Sequence, residues 1–412
     1  MLKKKKLLYL SQCFPLPLDG GGRIKTFNTL QTLSSQFDIF AVFVSERKAS
    51  QKELEKFSKL GIKVKIFKTK LMAESIKEDY LKLAWNYLQL RPHFVYQYRY
   101  KPSFTWIKDK IKEWQPDIIH VDHINSAQFL PKKKWLKKNC LTMPILILEN
   151  HNLDHVLFFT RFRETKKLIR KIYLLLEGSL NLLYGEINYR RFDHIFSISA
   201  SETSYLSQKC KSVSTQPLVY PLKAVKPSKH KIYDILFIAY LEWPPNEVAV
   251  RWFSEKILPL INREMPEIKF HVVGNKNPRL DDLKHNKNII FYGHQKNIDQ
   301  FLAKSKVFIL PFKTGAGVRL KSLTALQNGI PIVSTKLGVD GLKLINKKHY
   351  LLAETEKEFA EKVIELLKNE KLRKKISSAQ KQYFLENHSA KNNKQFLASY
   401  LKILNNMDQK IN

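Results

Sequence analysis

Short apolar runs of β type alternate with stretches of helical period along most of the chain. Leu7–Leu10 is followed by Ile24, Phe27, Leu30 and Leu33 at helical spacing, and then by the continuous run Ile39–Val44, the pattern of a βαβ unit. Further strands are predicted at Ile62–Phe67, Phe94–Tyr98, Ile118–Val121, Ile145–Leu148, Ile195–Ile198 and Val213–Val219. Helical segments separate most of them, so a doubly wound, mostly parallel α/β sheet is expected. Pro217–Lys231, rich in proline and lysine and without apolar periodicity, reads as a linker. Beyond it the alternation restarts. Strands are predicted at Ile235–Ile238, Phe270–Val273 (ending at Gly274), Ile289–Tyr292, Val307–Leu310, Ile330–Val333 and Tyr350–Leu352. A helix after the first of these has Val248, Trp252, Phe253, Ile257 and Leu260 on one face. The chain after Glu354 is helical, and its last segment is amphipathic through Phe396, Leu397, Tyr400, Leu401 and Leu404. Two Rossmann-like domains are expected, over residues 1–222 and 232–385, with a helical tail at about 390–412.

The length of 412 residues agrees with two domains. Charge adds a partner class: 72 basic against 37 acidic residues give a net +35, which calls for an anionic membrane, a nucleic acid or a phosphorylated substrate. No uninterrupted apolar run reaches the roughly 18 residues of a spanning helix. The nearest, Ile172–Tyr184, is broken by Glu177 and Gly178, and Leu7–Leu10 is too short for a signal sequence. A soluble or peripheral protein is expected. Cys13, Cys140 and Cys210 have no pairing pattern and no histidine at metal-ligand spacing, which fits a reducing cytoplasm without structural zinc. No Walker loop occurs, and Asp281-Asp282 reads as an exposed turn rather than a metal pair.

The most informative stretch runs from the strand Phe308–Leu310 through Gly315-Ala316-Gly317-Val318 into a helix expected from near Val318 to Asn328. Gly315 and Gly317 permit close backbone approach, and the helix start aims unpaired N–H groups into the loop, an arrangement that binds anions. Arg319 and Lys321 add positive charge there. Gly329 stands where a left-handed cap is wanted, and Pro331 follows. After the first strand, the Gly20-Gly21-Gly22 turn is either a second point of backbone approach to substrate or a flexible connector.

Taken together, Gly315–Lys321, Gly329-x-Pro331-x-Val333-Ser334-Thr335 and Gly338-Val339-Asp340-Gly341-Leu342 closely resemble the donor-site block of glycosyltransferase family 4. Phe237, Trp243, Pro245 and Asn246 resemble the opening of the C-terminal domain in a bacterial surface-polysaccharide subgroup. Pro15, Pro17 and Gly20–Arg23 look like its first N-terminal loop, Glu149–Asp154 like another of its motifs, and Asp193–Glu202 like the strand and turn that follow. The resemblance implies a GT-B fold, two Rossmann-like doubly wound domains facing a central cleft. The N-terminal domain would bind the acceptor, the C-terminal domain the donor, and the last helix would pack back on the N-terminal domain. The implied activity is that of a retaining hexosyltransferase (EC 2.4) using a nucleotide-sugar substrate and a glycan or lipid-linked acceptor, with no metal or other cofactor. Catalytic candidates are then His123, Arg319 and Lys321. Donor-binding candidates are Gly274, Gly315, Ala316, Gly317, Val318, Thr324, Gly338, Gly341 and Leu342, and the acceptor or cleft set is Gly21, Gly22, Arg23, His151 and Asn152.

The chain also departs from that pattern. Many members carry glutamates where this sequence has Ala316 and Thr324, the second of them binding the donor ribose, and many place Arg and Lys where Tyr240–Trp243 stands. A catalytically degenerate GT-B protein serving as a binding or accessory subunit is the alternative. His123 closes the run Ile119–Asp122, at the strand end where open α/β sheets hold ligands, with His120 behind it; a purely structural histidine is the other reading. His151, Asn152 and Asp154 follow another strand and either face the ligand or cap a helix. Lys132–Lys138 around Trp135, and Arg161–Lys171 with Leu168, Ile169 and Ile172, mix cations with apolar residues as an anionic bilayer surface requires. No RNA-binding module signature accompanies them, which argues against nucleic acid.

Overall fold

The structure is a computed structural model and describes residues 4–18, 20–69, 83–216, 218–220, 224–314 and 319–411. The glycine loop candidates Gly315, Ala316, Gly317 and Val318 lie outside the described residues, as does part of the linker. The chain divides into two compact units, Met1–Val219 with Asn392–Asn412, and Tyr220–Lys391.

The first unit is a seven-stranded sheet in the order β3-β2-β1-β4-β5-β6-β7. Its strands are β1 (Lys6–Ser11), β2 (Asp38–Ser45), β3 (Lys63–Lys68), β4 (Ile118–Asp122), β5 (Ile145–Glu149), β6 (His194–Ser197) and β7 (Val213–Thr215), and every pairing is parallel. β4 and β5 are buried along their whole length, which is why β5 reads as an unbroken apolar run and β4 as one interrupted only by His120, rather than as alternating ones. Register sets the polar ends level. Ser11 lies opposite Asp122, and Asp122 opposite Glu149, so three polar side chains stand together at the carboxyl edge of the sheet. The terminal helix Lys391–Ile411 belongs to this unit and buries Phe396, Tyr400 and Leu404 in its core. Tyr400 lies parallel to the Phe196 ring at 5.7 Å.

Two expectations fail here. Phe94–Tyr98 is no strand: His93–Tyr96 is a short helix whose first amides, of His93 and Phe94, donate to the Glu177 carboxylate at 2.7 and 3.2 Å. A long-range cap has overridden local β propensity. The strand expected over Val213–Val219 stops at Thr215, and Leu218 and Val219 are buried outside it.

The second unit has six parallel strands in the order β10-β9-β8-β11-β12-β13. They are β8 (Tyr233–Ile238), β9 (Phe270–Val273), β10 (Ile289–Phe291), β11 (Ser305–Leu310), β12 (Ile332–Ser334) and β13 (Leu351–Leu352). Its first helix, Pro244–Trp252, runs through a π turn at Phe253–Ile257 into Leu258–Glu264. Pro259 has no N–H to donate, and the ladder widens there. Ala249, Val250, Phe253, Ile257 and Ile261 face the core, while Val248, expected on that face, is exposed, since Ala249 and Val250 rather than Val248 stand one turn before Phe253. Both sheets reverse strand order beside their first strand, and ligands of such sheets bind at the carboxyl ends near that point. Among the described residues no helix is long and apolar enough to cross a membrane.

Candidate active site

In the first unit, the Gly21–Leu33 helix starts directly after the extended Gly20, and Ile24 is the first amide to bond back into the turn, to Gly20 O at 2.9 Å. The helix brings Lys25, Thr26 and Thr29 onto the level polar row. Lys25 Nζ lies 2.8 Å from Glu149 Oε1, and Thr29 donates to the same oxygen at 3.0 Å. Ser11 and Thr26 donate to Asp122 Oδ2 at 2.7 and 2.8 Å, and His151 Nε2 lies 2.8 Å from Asp122 Oδ1. Glu149 is 0% exposed, yet the Lys25 ammonium and the His120 ring outweigh burial and hold its carboxyl well below the usual range. Asp122 behaves alike: burial pushes its pKa up, and the His151 contact brings it below its ordinary value.

His123 follows immediately, with φ 68° and ψ 142°, a left-handed backbone that a non-glycine residue adopts only at a cost. Its Nδ1 accepts the Asn125 amide at 3.2 Å, which leaves the proton on Nε2, 3.6 Å from Asp154 Oδ2. Asp154 is fixed in turn by Asn125 Nδ2 at 3.0 Å. Burial lowers the pKa of His123, so the ring is neutral near pH 7. His151 meets it edge-on at 5.6 Å between ring centroids, and a Cβ on Gly22 would come within 3.4 Å of His151 Nδ1. The structure thus brings Gly22, His123 and His151 together. Asn152 lies in the same loop, exposed, its carbonyl accepting from Asn150; Gly21 and Arg23 sit in the first turn of the helix.

Lys25, Thr26, Thr29 and Asp122 were not singled out from sequence, and Glu149 was quoted only as the start of a motif. The available signal was an acid closing each of two apolar runs, at Asp122 and Glu149. His120, under this layer, stacks on Tyr9 at 4.8 Å and bonds Tyr400 Oη at 3.1 Å, a supporting position. Asp122, Glu149 and His151 offer three potential metal ligand atoms within 4.8 Å of one another. Spacing along the chain did not disclose that convergence. The Lys25 ammonium supplies one positive charge to this donor set, opposite Glu149.

In the second unit, the helix after β11 begins at Leu320 rather than near Val318, and Arg319 is its extended N-cap residue. Gly329 closes it in the left-handed conformation, φ 61°. The Arg319 guanidinium donates to the carbonyls of Leu337 and Thr314 and lies 4.7 Å from the Phe312 ring centroid. Lys321 Nζ donates to Asn246 Oδ1 at 2.7 Å and sits over the rings of Phe312 and Phe237, at 4.7 and 5.6 Å. Burial, and then the like charge of Arg319, push the Lys321 pKa down to about 7. Arg319 is itself pushed down by burial to about 10, with Asp340 acting in the opposite sense. Two cations are held side by side in a partly dry place, an arrangement suited to an anion.

The other donor candidates divide. Thr324 is buried: its hydroxyl donates to Leu320 O at 3.0 Å and shares a 2.7 Å bond with Tyr220 Oη, so it faces the unit's interior. Gly274 and Gly338 are dictated by packing, since a Cβ would fall 2.0 Å from Ala239 O and 2.5 Å from Leu310 O. Gly341 has φ 78° in an exposed turn, and Leu342 beside it bonds back to Val339. Phe237 and Asn246, quoted from sequence only for their resemblance, prove to hold Lys321.

The family described as "Glycosyl transferases group 1" matches residues 233–369, the strands and helices around this cation pair. A relative described as an uncharacterized 44.6 kDa protein in the cps region of Klebsiella pneumoniae is 26% identical over 400 residues, 94% of this chain and 97% of its own. Two solved structures share the fold at 12% identity: Anabaena Alr3699/HepE in complex with UDP and glucose, TM-score 0.64, and sucrose-phosphate synthase from Thermosynechococcus elongatus, TM-score 0.66. Each comparison covers 97% of this chain and 99% of the other. Residues 233–369 thus match the group 1 glycosyl transferase family, and the chain has the GT-B fold.

Proposed function

We propose that this protein is a glycosyltransferase that moves a hexosyl unit from a nucleoside diphosphate sugar to a growing glycan or a lipid-linked glycan, with retention of configuration, no metal, and the habits of family 4. The observation that carries this reading is the Arg319–Lys321 pair in the matched domain. Lys321 has been driven down to a pKa of about 7 and is held over aromatic rings, so a diphosphate would relieve the repulsion that burial has concentrated there. Retaining transfer needs no strong base: the departing phosphate oxygen can take the acceptor proton while the cations stabilise its charge. A neutral His123, held by Asn125 and Asp154, is then a hydrogen-bond donor to an acceptor hydroxyl. The relative from a cps region supports a surface polysaccharide as the product class. The thiols of Cys13, Cys140 and Cys210 are all unpaired, in keeping with a cytoplasmic protein.

The test is a screen of nucleoside diphosphates by calorimetry, followed by transfer assays in which the anomeric configuration of the product is read by NMR. Binding with turnover and a retained anomer is expected. Inversion would overturn the stereochemical assignment, and binding without turnover on any glycan or lipid-linked acceptor would favour the accessory-subunit reading.

A further inference from the structure

The N-terminal unit has a concave surface lined by none of the candidate active-site residues. It encloses about 540 Å³ between Gln89–Pro92, the Ala127–Trp135 stretch and the carboxyl half of the Leu168–Tyr189 helix. Its walls include the rings of Tyr96, Trp135 and Tyr184 and the side chains of Leu183 and Ile187. Its charged lining has one sign, with Arg91, Lys108, Lys132 and Arg191 and no carboxylate. Arg191 is committed to structure, donating to the carbonyls of Ala127, Leu130 and Pro131 and to Asn188. Arg91 and Lys108 instead lie over the aromatic faces of Tyr96 and Trp135, at 5.1 and 5.6 Å, and among the described residues neither they nor Lys132 form an ion pair.

The groove opens onto an apolar stripe. Leu183 and Ile187 are 44% and 60% exposed, and Ile169, Ile172 and Leu176 continue the row toward the helix start at 85%, 53% and 45%. Steps of three, four and seven residues keep them on one face. Lys166, Lys167, Arg170 and Lys171 crowd the amino end of the same helix. A bare apolar row rimmed by cations marks a docking surface.

We infer that stripe and groove together dock the protein on an anionic phospholipid bilayer, the helix lying in the interface and a lipid phosphate entering the groove at its unpaired cations. Charge complementarity selects this occupant. A second copy of a chain with net charge +35 would bring like charge to the patch, whereas an anionic membrane attracts each surface cation by about fivefold in affinity. The inference stands independently of transfer activity.

The experiment is flotation of the full chain with phosphatidylcholine vesicles, with and without phosphatidylglycerol, at low and high salt. Partition is expected only with the anionic lipid and should weaken with salt. Arg91→Ala with Lys132→Ala is expected to lower it by about 25-fold. Leu183→Ser with Ile187→Ser is expected to lower it on the order of tenfold or more. Both pairs should keep wild-type nucleotide-sugar binding, because none of the four residues belongs to the candidate active site, and thermal unfolding checks that each variant is folded. Lys371→Ala with Lys375→Ala, on a helix of the other unit, removes the same charge and should leave partition unchanged. Equal flotation with neutral vesicles, or an equal loss in that control pair, would overturn the inference. So would a dimer in sedimentation that Ile169→Ser with Ile172→Ser dissolves, or displacement of bound vesicles by RNA.

Discussion

Lys321 gives the most exacting test of the donor site, because its protonation is expected to govern ligand binding across an accessible pH range. With a pKa of about 7 in the free protein, half of the molecules hold a neutral amine at pH 7 and roughly nine in ten at pH 8. A bound diphosphate favours the ammonium, so binding must be accompanied by proton uptake in this range. Affinity for a nucleotide-sugar, whose diphosphate diester does not itself titrate here, should fall about tenfold between pH 6 and pH 8 and continue falling about tenfold per unit until the pKa of the complex is reached. Isothermal calorimetry in two buffers of different ionisation enthalpy measures both the affinity and the proton count. Lys321→Ala removes a charge-assisted bond worth roughly 1.5–3 kcal/mol, a ten- to hundredfold loss at pH 6, and should flatten the profile. Stability supplies an independent reading. The unfolded chain keeps this proton to about 10.5 and the folded chain releases it near 7, so the ligand-free protein should gain stability between those values, a gain that Lys321→Met abolishes. A pH-independent affinity in the wild type, or the same profile in Lys321→Ala, would falsify the assignment.

Other expectations follow from single contacts. Lys25→Met leaves Glu149 as an uncompensated buried charge and should cost about 3–5 kcal/mol in chemical denaturation; a loss below 1 kcal/mol would mean that the pair is not formed. His123→Ala and His123→Gly should both depress transfer, but the glycine variant should be the more stable by up to about 1 kcal/mol because its backbone tolerates φ 68°; the opposite order would remove the argument for strain. Thr324→Glu, which would restore the family's carboxylate, should lower the melting temperature without tightening nucleotide-sugar binding, since the new side chain must displace Tyr220 and bury a charge. Tighter binding in that variant would show that the Tyr220 contact opens in solution.

The alternation of β-type runs with helical periods identified the α/β class and the paired Rossmann-like sheets, because strands buried on both faces must be apolar throughout and the helices between them amphipathic. Local pattern failed where a distant group intervened. His93–Tyr96 became helical under a cap from Glu177, far along the chain. That contact has no signature within the window of residues that a periodicity compares.

For the sites, the difference lies between residues whose meaning is local and residues whose meaning is register. Arg319 and Lys321 could be read as a cation pair because a strand, a small-residue loop and a helix start follow one another without interruption. Asp122 and Glu149 each close an apolar run, and either alone could have been a surface acid at a strand end. What makes them a site is that parallel pairing sets Ser11, Asp122 and Glu149 level, and that one helix then presents Lys25, Thr26 and Thr29 to that level. Those polar residues occupy helix positions that, beside Ile24 and Leu30, read as a solvent-facing side. Their burial is legible only once the carboxylates are known to lie beneath them. A buried acid needs a partner, and the sheet edge, not the helix's own period, determines which helix face supplies it. An acid that ends a buried strand in a doubly wound protein, as Glu149 does, is therefore a reason to search the preceding glycine-started helix for its cation.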